Sequence, residues 1–157
     1  MAPLTSGTTA SIAAMYQEAL LAHHRAPHNR RELATPTGSA LRRNPVCGDE
    51  IRVMVAVHDG VVGDVAFSGR GCSIATASAS MMTEATRGLS VAAVLALADA
   101  VERMLHTPSG EEGAPALPEP LAPLRGVAPF AGRHGCAMLP WQALRESLRE
   151  SLRETVR

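Results

Sequence analysis

Apolar and polar positions along this chain follow two different periods, and the switches between them outline the elements. From Thr9 to about Arg25, Ile12, Tyr16, Ala19, Leu20 and His23 recur every three or four residues. That spacing predicts a helix, capped by Thr8, Thr9 or Ser11 and stopped by Pro27. A polar stretch with Pro36 and Gly38 comes next, and a short edge strand is expected near Ser39 to Arg42. The period then falls to two. Ile51, Val53, Val55 and Val57 alternate with Arg52, Met54, Ala56 and His58; Asp59-Gly60 supplies a two-residue turn, and Val61 to Phe67 resumes the pattern. This predicts a β-hairpin, broken by Ser68-Gly69-Arg70-Gly71 just before Cys72.

Helical spacing returns from Ser73 to Arg87. The small residues Ala75, Ala77, Ser78, Ala79 and Ser80 give this helix a face that another backbone can approach closely, and Gly88 is placed to close it. A second helix is expected from a Ser90 cap through Val94, Leu97, Val101 and Met104 to His106. Residues 107 to 123, rich in Pro, Gly and Glu, read as an exposed connector. A last helix is expected from about Pro140 to Thr155, with Trp141, Leu144, Leu148 and Leu152 as its apolar stripe. The order predicts one α+β domain over residues 1 to 157, a small antiparallel sheet of about three strands packed against several helices.

Composition narrows the function. The chain is 46% apolar and 19% charged, a globular balance. Aromatic residues are limited to Tyr16, Phe67, Phe130 and Trp141, so the core must be aliphatic. Fifteen basic and fifteen acidic residues cancel, which argues against nucleic acid or an anionic membrane as partner. Every basic residue is Arg; without Lys there is no Schiff-base or Walker-type lysine chemistry. No apolar run approaches the roughly 20 residues of a membrane span, and residues 1 to 7 lack the order of a signal peptide. A cytoplasmic, thiol-reducing setting is therefore expected, where three cysteines point to metal binding or catalysis rather than disulfides.

Those cysteines occupy turns. Cys47 and Asp49 flank a glycine in Asn44-Pro45-Val46-Cys47-Gly48-Asp49, just before the hairpin, so thiol and carboxylate can converge. Cys72 sits where the hairpin ends and a helix begins. Closing the hairpin brings the two turns to one end of the sheet, and Cys136, at the mouth of another helix, can supply a fourth ligand. Three thiolates and a carboxylate suit tetrahedral Zn²⁺, and equally iron or a small iron–sulfur cluster. There is no Cys-x-x-Cys pair, and spacing alone leaves open that these are buried structural thiols.

The sequence around each cysteine says more. Met15-Tyr16-Gln17-Glu18 through His23 to Pro27-His28-Asn29-Arg30, Asn44 to Asp49, Gly69 to Thr83, and Arg133-His134-Gly135-Cys136-Ala137-Met138-Leu139-Pro140-Trp141 form an ordered series. Together they resemble the SufU branch of the IscU/NifU N-terminal-like family of iron–sulfur cluster assembly proteins. The resemblance implies a SufU/IscU-like fold and zinc held by Cys47, Asp49, Cys72 and Cys136. It further implies that Cys47 is the sulfur acceptor, taking persulfide sulfur from a SufS-type, pyridoxal phosphate-dependent cysteine desulfurase, and that the SufBCD assembly machinery lies downstream. Arg133 matches a family position suited to orienting the persulfide or its loop. The alternative within the family is a scaffold that builds and transfers a cluster on the same cysteines. Two features favour the SufU branch: the Leu-Pro-Pro-Val-Lys segment of IscU-type proteins is absent, and Gly135 stands where those carry a histidine. Ala22 and Arg31 depart from the family pattern, on a surface suited to docking rather than at the cysteines.

Overall fold

The expected hairpin is the platform on which the helices are laid. In this computed structural model, which describes residues 2–107 and 115–156 with side chains over 14–107 and 115–154, β2 (Glu50–His58) and β3 (Val61–Arg70) pair antiparallel. Asp59 and Gly60 both take positive φ, 52° and 75°, the backbone that lets a two-residue turn follow strand twist. β1 (Gly38–Arg43) pairs antiparallel with the other side of β2, giving the order β1-β2-β3. The far edge of β3 is also occupied. Phe67 exchanges 3.0 Å backbone hydrogen bonds with Asn29 and Arg31, so the polar chain after the first helix covers an edge that would otherwise template wrong pairing.

Two helices and the sheet converge on α2 (Ser73–Thr86), whose residues from Ala75 to Thr83 are all buried. α1 (Ala2–Arg25) and α4 (His134–Val156) both pack against it, and α4 also lies across β1 and β2. The small residues allow this close approach, and their hydroxyls are used rather than wasted. Ser78 donates to the carbonyl of Ala137 (2.7 Å) and accepts the Trp141 indole N–H (3.1 Å). Ser80 accepts the His28 N–H (2.7 Å) and bonds His23 Nδ1 (2.7 Å). Buried hydroxyls left unpaired would each cost about 1–3 kcal/mol, so these bonds fix which helices meet. α3 (Val91–Leu105), capped by Ser90, adds Val94, Ala98, Val101 and Leu105 to an aliphatic core in which Phe67 and Trp141 are fully buried.

Three boundaries differ from expectation. α1 begins at Ala2 rather than Thr9, so Thr8, Thr9 and Ser11 fall inside it, and their side chains lie outside the described residues. α4 begins at His134, six residues before Pro140. That proline, lacking an N–H, only deprives the carbonyl of Cys136 of its helical partner. The exposed connector expected over 107 to 123 does not reach its far end. Residues 108–114 lie outside the described residues, and Glu119–Val127 forms a 3-10 helix. Leu121, Leu124 and Val127, three residues apart, line up on one side of a three-residue turn and are buried in the core. Among the described residues no helix is long and apolar enough to cross a membrane.

Gly38 marks the tightest approach of β1 to α4, since a Cβ there would land on the carbonyl oxygen of Ser147. Gly38→Ala is expected to lower unfolding free energy by about 1–3 kcal/mol, read by urea denaturation, with Ser39→Ala nearly neutral. A second expectation concerns pH. Burial, and then the neighbouring His28, hold His23 below its ordinary pKa of 6.5. The unfolded chain therefore binds a proton that the folded chain resists, so stability is greatest above that value and is lost as pH falls below it. Thermal melts from about pH 7.5 to about pH 5.5 should show a falling midpoint, and His23→Gln should flatten the slope.

Candidate metal centre

A tightly bonded turn presents the first two candidate ligands. The Asn44 N–H donates to the Asp49 carbonyl (2.8 Å), the Gly48 N–H to the Asn44 carbonyl (2.8 Å), and the Val46 N–H to Asn44 Oδ1 (3.0 Å). Gly48, at φ 77°, makes the left-handed step that an L side chain resists. The consequence is a division of exposure: Cys47 stands in solvent at the tip, while Asp49 is folded in and 7% exposed. Asp49 Oδ1 accepts the backbone N–H of Cys72 (3.1 Å), which ties the start of β2 to the start of α2. Cys136 is the third residue of α4 and is buried.

The ligand atoms of Cys47, Asp49 and Cys136 all lie within 4.8 Å of one another. Cys72 stands beside this trio rather than in it. Its Sγ caps α2 by accepting the Ala75 N–H (3.5 Å). The structure thus gathers three of the four expected donors and sets the fourth against them. Burial, then the neighbouring Cys72, then Cys47, push the Cys136 thiol up to about 12. So crowded a set cannot all ionise without a cation among them.

Asp49 Oδ2 supplies the test of fit. It is buried and has no hydrogen-bond partner, an arrangement that costs free energy unless something positive meets it. A soft divalent ion suited to sulfur and oxygen would satisfy that oxygen and hold the thiols ionised, and zinc and iron both answer the description. The residues present fit such an ion.

Arg133 ends a short 3-10 turn, Ala131–Arg133, and is exposed, its side chain without an ion pair or hydrogen bond among the described residues. It lines a groove of about 340 Å³ with Gln17, Leu20, Ile74, Val127 and Phe130. His134, two residues from Cys136, is engaged elsewhere: its Nε2 donates to the carbonyl of Ala128 (2.9 Å), and its ring meets His106 edge-on. Sequence reasoning passes over Asn44, whose three bonds build the ligand turn; Asn-Pro opening a turn is the available signal. The groove has no local signal, because its walls come from α1, α2 and the 3-10 segments.

A family model described as the NifU-like N terminal domain matches residues 15–146. An iron–sulfur cluster assembly scaffold protein IscU of Streptococcus pyogenes serotype M1 is 39% identical over 135 residues, 85% of this chain and 82% of that one. A zinc-dependent sulfurtransferase SufU of Bacillus subtilis (strain 168) is 31% identical over 137 residues, 87% of this chain and 91% of that one. The crystal structure of a hypothetical protein, 34% identical, superposes with a TM-score of 0.74 over 87% of this chain and 98% of that one. A SUF-system scaffold candidate from Fervidobacterium islandicum AW-1, 24% identical, shares the fold at a TM-score of 0.74, covering 83% of this chain and 94% of its own.

Zinc titrated into the metal-free protein is expected to release at least one proton per ion, since Cys136 keeps its proton at neutral pH and ligates only as thiolate. For each proton released, apparent affinity should rise about tenfold per pH unit. Calorimetry in buffers of different ionisation heat counts the protons, and Cys136→Ser should lower the count and weaken binding.

Proposed function

The chain belongs to the NifU-like N-terminal domain family of iron–sulfur cluster assembly proteins, and from that premise we propose that it is a zinc-dependent sulfur acceptor, taking sulfane sulfur on Cys47 from a SufS-type cysteine desulfurase. The observation that carries the reading is the unequal exposure of the three thiols. Cys47 is exposed, Cys72 half-buried and Cys136 4% exposed, so a persulfide carried by another protein can reach Cys47 and not Cys136.

The transfer conserves atoms and charge. The Cys47 thiolate attacks the outer sulfur of the donor's persulfide; a new S–S bond forms on Cys47, the donor's S–S bond breaks, and the electron pair leaves with the donor cysteine as thiolate. No net oxidation occurs. Asp49, Cys72 and Cys136 are the holding residues, and Asp49 is steadied for that role by the Cys72 N–H on its other oxygen. Zinc, when bound, supplies the positive charge that keeps neighbouring thiols ionised near neutral pH. Arg133, exposed and unpaired among the described residues three positions before Cys136, is suited to orienting the anionic persulfide. Sulfur carried on Cys47 would pass to the SufBCD machinery in the reducing cytoplasm, where thiols persist.

A scaffold role is the second reading. It draws on the same trio of ligand atoms, which would hold a nascent cluster as cargo, and on the Streptococcus relative named as a scaffold. The two separate in one assay. With a purified SufS-type desulfurase, cysteine and zinc-loaded protein, wild type should raise turnover and carry labelled sulfur, while Cys47→Ala does neither, a loss of at least about 100-fold for a missing nucleophile. Full stimulation by Cys47→Ala would sink the acceptor reading. Protein purified without oxygen that keeps a coloured cluster and passes it to an apo-acceptor would favour the scaffold.

A further inference from the structure

Two guanidinium groups at the rim of the Cys72 turn carry charge that no carboxylate meets among the described residues. Arg70, the last residue of β3 and two before Cys72, is exposed, and its side chain makes no ion pair or hydrogen bond there. Arg30 reaches over beside it and donates to the carbonyl of Gly69 (2.7 Å), a neutral group. Glu50 stands opposite Arg70 in the strand ladder, yet it bonds Arg43 (3.1 Å). Several arginines elsewhere do meet acids: Arg31 and Arg87 share Asp64, Arg42 has Glu146, and Arg145 has Asp99 and Glu102. In a chain with no net charge, this pair beside the cysteines is a local positive rim.

We infer that Arg30 and Arg70 are a docking contact for carboxylates on the protein that delivers sulfur to Cys47; the inference rests on the acceptor reading. A donor persulfide is an anion, and it must approach a site built from thiols and a carboxylate. Cations at the rim lower that repulsion, and they steer an acid-bearing surface toward the thiol before contact is made. Their reach is limited to roughly 10 Å at 0.1 M salt, which confines the effect to groups that dock around the cysteines. Val46, 93% exposed next to Cys47, gives the same partner an apolar point of contact at the tip of the turn. Specificity comes from charge: a sulfur donor with basic groups around its persulfide is turned away.

The test uses the full-length zinc-loaded chain and a purified SufS-type desulfurase. The readout is the concentration of carrier that half-saturates desulfurase turnover, measured across salt. Arg30→Glu/Arg70→Glu should raise it about tenfold at low salt and converge with wild type near 0.5 M, with maximal turnover changed less than about twofold, as expected of rim charges. Arg30→Lys/Arg70→Lys should stay close to wild type, and Arg149→Glu, exposed more than three helical turns beyond Cys136 along α4, should do nothing. Zinc content and melting temperature equal to wild type confirm that the reversed variant is folded; if it is not, Arg30→Gln/Arg70→Gln takes its place with a smaller shift in the same direction. Unchanged half-saturation at low salt would overturn the docking role while leaving Cys47 as acceptor. Equal weakening of wild type by inorganic phosphate at constant ionic strength, with the charge-reversed variant insensitive, would assign the rim to a small anion and overturn it too. Wild type that fails to raise turnover at all would sink the acceptor reading itself.

Discussion

Asp49 is held on one oxygen and left unanswered on the other, and the arrangement of the sulfur end of the molecule depends on that asymmetry. Its Oδ1 takes the Cys72 N–H, so the first residue pairs of β2 and the first turn of α2 are fastened through one side chain. Its Oδ2 is buried among thiols with no donor in reach. A carboxylate this poorly solvated is costly in the absence of a cation, and the Cys136 thiol, raised by burial and by its sulfur neighbours, meets the same constraint by keeping its proton. Ion binding would relieve both together. The fit of this site to a soft divalent ion therefore lies in how the chain is folded here, not only in which residue types are present.

That end can be so compact because the elements behind it pack at close range. α2 carries alanines and serines on its buried surface, which lets α1 and α4 approach on two sides while the serine hydroxyls are shared between backbone and ring donors. Cys72 begins this helix and Cys136 lies in the first turn of α4, the helix that meets it. Two of the three thiols thus sit on elements whose relative position is set by buried hydrogen bonds at Ser78. The third, Cys47, stands exposed at the tip of a turn. Rigidity and reach are divided between the thiols accordingly.

Much of this is legible in the chain. Period-two alternation with Asp59-Gly60 identifies the hairpin, and Ser90 identifies the start of α3, because each signal is local and physical. The cysteines are legible as a group because hairpin closure forces their turns together, although spacing alone leaves structural thiols as an equal reading. Features that escape depend on contacts between distant segments. The pairing of Asn29 and Arg31 with Phe67 needs the sheet edge to exist first. The 3-10 helix over Glu119–Val127 is hidden by its prolines, and a search at a period of 3.6 misses Leu121, Leu124 and Val127 at a period of three. Pro140 reads as a helix start because its missing donor is an N-terminal hallmark; the structure shows that one lost bond is tolerated when Trp141 and Leu144 anchor the turns beyond it.

The position of Cys72 is the most informative departure. A ligand set read from motifs treats four donors as equivalent, whereas the fold ranks them. Cys136 and Asp49 are buried, Cys47 is exposed at the tip of its turn, and the Cys72 sulfur is engaged as a helix cap. A donor with a second stable partner can yield or take up coordination at lower cost than one that would be left bare. A sulfur carrier needs that property somewhere in its site, because a metal centre with four equally locked ligands would hold its thiolates out of reaction. On the acceptor reading proposed above, exposure would make Cys47 the thiol that leaves to react, and the cap at Cys72 would give the remaining donors room to adjust.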